Sequence, residues 1–223
     1  MATLLAATLG TDALAGGSNG GEQTGTVSTE IGTGNLPVAT ARETATLHIE
    51  IFDYAKLEPA ALGRFLSLTQ DILAGTGMSV QVSLCRGNGV LSCDGVAKVS
   101  QPLVVRIVAG NAKEMENARR EPLGQSYADH RGGTMASIFL APARDQAAAA
   151  NVPWVLVLSY AAAHEVGHLL LGDRAHTSRG LMRAHWDRGD YMAMSQNRLH
   201  FTNEQALILA DRYGAPATGH NGK

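Results

Sequence analysis

The pentapeptide His164-Glu165-Val166-Gly167-His168 sits inside a long apolar run that ends in Leu169-Leu170-Leu171-Gly172. A helix apolar on every side has to be buried, and a buried helix tolerates imidazoles and a carboxylate only when they have partners. Residues four apart share one helix face, so His164 and His168 are able to aim their rings at one ion. Glu165 then stands beside the open coordination position, where it can accept a proton from water. A catalytic zinc site usually takes three protein ligands. His176, eight positions after His168 and just past the helix-ending Gly172, is the nearest good third ligand. Asp173 and Glu204 compete with it. Asp173 follows Gly172 directly and is tied to the helix end, whereas Glu204 is accounted for as a helix-start carboxylate favoured by the macrodipole.

The 223 residues suit one domain with a sizeable core. A net charge of −2 and the lack of a continuous basic patch argue against nucleic acid and anionic membrane surfaces as partners. No apolar run is expected to reach the length of a membrane span. Residues 1–44 read as a flexible leader: Arg42 is the first basic residue, and 16–40 are rich in Gly, Ser and Thr. Within it, a mildly apolar stretch closes on Ala13-Leu14-Ala15, a small-x-small pattern that points to export despite the missing basic start. Cys85 and Cys93 flank a loop containing Asn88-Gly89, which suits a local disulfide and an oxidising compartment. A zinc site at this pair lacks further ligands nearby in sequence.

Apolar alternation predicts strands over 46–52 and 78–84, and a continuous apolar stretch predicts a doubly buried strand over 102–108. Helical spacing predicts a helix over 57–73, with Pro59 near its start and Gly75 after its end. Residues 111–120 read as a surface turn or loop, 122–128 as an edge strand and 134–140 as the last strand. A loop through the alanines 147–150 leads to Asn151 as N-cap and Pro153 in the first turn of the motif helix. Thr202-Asn203-Glu204-Gln205 is a capping-box pattern that opens a last helix to about Tyr213. Long crossovers imply an α+β or α/β fold with a mixed, mostly parallel sheet and two main helices. The expected division is a leader over 1–44, an N-terminal subdomain over 45–172 and a small C-terminal subdomain over 173–223.

This order of elements, with H-E-x-x-H on the second helix, resembles the zincin metallopeptidases. His176 and Gly180-Leu181-Met182 look most like the metzincin branch, although the spacing to the third histidine is two residues longer than H-E-x-x-H-x-x-G-x-x-H. The resemblance spans roughly residues 45–213. It implies a zinc-dependent peptidase acting on a peptide or protein substrate, with His164, His168 and His176 as metal ligands and Glu165 as general base. It also implies that residues 123–128 pair with an extended substrate and that Met182 occupies a supporting turn beneath the metal. Tyr191, His185 and Arg183 follow that turn, where a donor to a carbonyl oxyanion belongs; spacing alone assigns none of them. The alternative is a non-catalytic zinc- or peptide-binding protein on the same scaffold, against which Glu165 argues because a structural zinc site has no need of it.

Overall fold

A computed structural model describes residues 46–87, 91–93, 101–110 and 122–213. The leader and the 111–120 segment lie outside the described residues, as does the Asn88-Gly89 turn. Chain order runs β1 (Thr46–Asp53), α1 (Pro59–Ala74), β2 (Ser79–Gly87), β3 (Leu91–Cys93), β4 (Leu103–Val108), β5 (Gly124–Asp129), β6 (Gly132–Phe139), α2 (Leu140–Ala150), α3 (Trp154–Leu171), α4 (Arg188–Ser195) and α5 (Asn203–Tyr213).

The strands form one sheet in the order β3-β2-β1-β4-β6-β5. β1 pairs in parallel with β2 and β4, and β4 with β6, while β3 and β5 run antiparallel at the two edges. The sheet is therefore mixed and mostly parallel, as expected. Register places Ile51, Val105 and Ala136 in one row and Ile107 beside Ile138. All five are fully buried, and α1 and α3 pack on the sheet.

Two helices, α2 and α4, join the three expected. Residues 140–150 form α2 instead of a loop, because an alanine-rich stretch has little else to favour and Pro142 is harmless in a first turn. The motif helix is consequently the third. Asn151 does not cap it: it takes a left-handed conformation (φ 56°, ψ 47°) that ends α2, and Pro153 holds the N-cap position of α3.

A second correction concerns α3 itself. Its 18 residues are long and apolar enough to cross a membrane by length and composition alone, contrary to expectation. In the fold 78% of it is buried, which makes it the central core helix. The disulfide expected from the cysteines is present: Cys85 and Cys93 face each other across β2 and β3 and are bonded.

Candidate metal centre

The last two turns of α3 carry His164, Glu165 and His168, all buried, toward a cleft of about 420 Å³. Each α3 histidine is oriented by a carbonyl beyond the helix. His164 donates from Nδ1 to the Leu181 oxygen at 2.9 Å, and His168 from Nδ1 to the Gly172 oxygen at 3.2 Å. With the proton fixed on Nδ1, both rings turn an unprotonated Nε2 into the cleft.

His176 arrives from the loop after Gly172. Its Nε2 lies 3.3 Å from Nε2 of His164 and 3.1 Å from Nε2 of His168. One hydrogen on His176 can align with only one of those two lone pairs, so three converging nitrogens leave a deficit that a cation removes. The donor set thus fits a metal ion, and the three residues form a group able to hold one. Neither Asp173 nor Glu204 belongs to that group. The Asp173 N–H donates to the Asp129 carbonyl at the end of β5, and Glu204 lies in the first turn of α5.

Burial shapes the protonation. It pulls His164 down to about 4; the Leu181 carbonyl opposes this, and the neighbouring imidazoles reinforce it. His168 and His176 are also lowered, chiefly by burial. Three neutral rings suit metal ligation. Burial raises Glu165 to about 7, against hydrogen bonds from the side chain and backbone of Ser126. Those bonds lay the carboxylate along the inner face of β5, where Gly124 leaves the space: a Cβ there would sit 2.5 Å from Cγ of Glu165.

A tight turn supports the site from below. Arg183 N–H bonds the Gly180 carbonyl, Thr177 N–H the Met182 carbonyl, and Leu181 N–H the His200 carbonyl. Met182 is fully buried and packs against Gly167, between the two α3 histidines. Trp186 donates from Nε1 to the same Leu181 carbonyl that orients His164, and its ring meets His164 edge-on at 5.7 Å.

The three donors left open by spacing separate here. Tyr191 gives its hydroxyl to Gln146 Oε1 at 2.6 Å, and Arg183 bonds Asp187 and Asp190. His185 is exposed and lines the cleft. Gly124 and Ser126 were expected only as part of the substrate-pairing strand 123–128, not as partners of Glu165, and Trp186 was not singled out. Ser126 and Gly124 carry no motif of their own; only the pairing of β5 with β6 brings them to α3. Comparison of the sequence with known proteins finds no matching family model and no matching curated protein.

Proposed function

We propose that the protein is a zinc-dependent peptidase of the zincin type, cleaving an extended peptide laid along β5. The observation that carries this reading is the convergence of the His164, His168 and His176 Nε2 atoms in a cleft that Glu165 also lines. A tetrahedral zinc with Zn–N of about 2.0–2.1 Å separates its ligand nitrogens by about 3.3–3.4 Å. The contacts of His176, 3.1 and 3.3 Å, are close to that spacing. Bound there, zinc supplies Lewis-acid polarisation of a carbonyl and acidifies water.

The chain's own residues account for the rest. Glu165 takes the proton of the attacking water on a carboxylate oxygen and returns it to the departing amine nitrogen. Ser126 and Gly124 keep that carboxylate on the substrate side of the cleft. β5 is an edge strand whose inward residues are Gly124, Ser126 and Ala128, so a peptide can pair with its free edge through main-chain hydrogen bonds. The Cys85–Cys93 bond supports work in an oxidising, extracytoplasmic compartment.

Glu165→Gln tests the assignment. The variant is expected to keep its metal and fold while peptide hydrolysis falls by about 10²–10⁴-fold, the contribution of a positioned general base. Turnover equal to wild type on a peptide that wild type cleaves removes Glu165 from the mechanism.

A further inference from the structure

The strand order sets a second group of ligating atoms away from the cleft, at the β3 end of the sheet. Cys85 and Cys93 are direct cross-strand partners, and Glu50 lies on the neighbouring strand β1. In the β1–β2 register Glu50 faces Ser83 and Phe52 faces Cys85, so Glu50 and Cys85 stand on the same face, one diagonal apart. A carboxylate oxygen of Glu50 and the two sulfurs all lie within 4.8 Å of one another. Cys85 is buried, Glu50 is half-buried, and among the described residues the Glu50 carboxylate has neither a hydrogen-bond donor nor a cationic partner. Glu50 is distant from the two cysteines in sequence, and the sheet brings it beside them.

Glu50, Cys85 and Cys93 bring one carboxylate oxygen and two sulfurs within reach of a single ion. Two thiolates and one carboxylate are a competent set for a thiophilic divalent ion, with water in a fourth position. In the disulfide both sulfurs have spent their anionic valence on each other and ligate weakly. A tetrahedral ion holds its sulfurs about 3.8 Å apart at an M–S distance of about 2.3 Å. Facing side chains on a three-residue edge strand can reach that separation by rotation about their own bonds.

We propose that Cys85, Cys93 and Glu50 form a second, redox-gated site for a zinc-class cation, closed as the disulfide and opened by reduction. A dithiol reductant delivers two electrons and two protons: the Cys85–Cys93 bond breaks, two thiols form, and the dithiol closes to its own disulfide. On metal binding each thiol releases its proton to solvent and each sulfur donates a lone pair, while Glu50 adds an oxygen. Exchange with the oxidised dithiol runs the sequence backwards and expels the ion. The site does not depend on the peptidase reading.

The test uses the full chain, reduced with a phosphine, which supplies the same electrons without adding thiolates. Cadmium is titrated in, and the sulfur-to-cadmium charge-transfer absorption is read; the histidine centre cannot produce that band. Reduced wild type is expected to give a band that saturates once cadmium has filled this site and the histidine centre, by about two equivalents, and oxidised wild type none. Reduced Glu50→Gln is expected to bind at least about tenfold more weakly, the loss typical of a missing metal contact. Circular dichroism of each sample checks the fold. No band in the reduced protein, unfolding on reduction, or equal affinity in Glu50→Gln would each overturn the proposal.

Discussion

The three heavy atoms nearest a Cβ on Gly124 all belong to the side chain of Glu165, at 2.5 Å for Cγ and 2.9 Å for Cδ and Oε1. The nearest of these atoms is close to the Glu165 backbone and the side chain is buried, so the carboxylate has to shift at some cost in packing. Gly124→Ala is therefore expected to lower melting temperature modestly, keep the metal, and drop hydrolysis about tenfold or more, as displacement of a catalytic group does. Unaltered activity would show that the resting position of Glu165 on β5 has no bearing on turnover. Gly167 behaves differently. A Cβ there would fall 2.3 Å from Sδ of Met182 and 3.0 Å from Phe201 Cε1. Met182 is fully buried and has nowhere to go. Alanine in a helix returns up to about 1 kcal/mol over glycine, whereas overpacking a filled core costs about 1–3 kcal/mol. Gly167→Ala is thus expected to be net destabilising in denaturant unfolding, and a more stable variant would mean the Met182 packing is slack.

At the scale of elements, α4 is held by its first turn. Asp187 accepts from the N–H groups of Gly189 and Asp190, Asp190 accepts from the Asp187 N–H, and Arg183 bridges both carboxylates. These contacts lower the Asp187 carboxyl below the usual range, with the Arg183 hydrogen bond first among them. Asp187→Ala is expected to fray α4 and leave Arg183 held by Asp190 alone, read as lost amide-exchange protection over 188–191; retained protection would show that packing alone holds the helix. This helix was illegible in sequence because its capping pair is Asp-x-x-Asp in a polar stretch with little periodicity. α2 was hidden differently: its alanines bury a face without showing an apolar stripe. The strands β1, β2, β4 and β6, and the helices α1, α3 and α5, were legible because alternation, helical spacing and Pro or Gly boundaries agree there.

Across the whole molecule, long-range pairing decides what sequence could not. His164, Glu165 and His168 stand together in one motif, and His176 lies within reach of the helix end, so the centre was largely readable. Its walls were not. The β5 residues that hold Glu165 sit some forty positions upstream and reach α3 only because β5 turns back along β6. The same sheet carries Glu50 to the cysteines at the other edge. Metal content of the purified protein tests the central claim most directly, measured on wild type and three single variants after identical dialysis. One zinc per chain is expected in wild type, Asp173→Ala and Glu204→Ala, and a strongly depleted site in His176→Ala, since that loss removes one of three ligands. A wild-type chain that binds no zinc, or a His176→Ala chain that stays loaded while Glu204→Ala empties, would contradict the three-histidine centre.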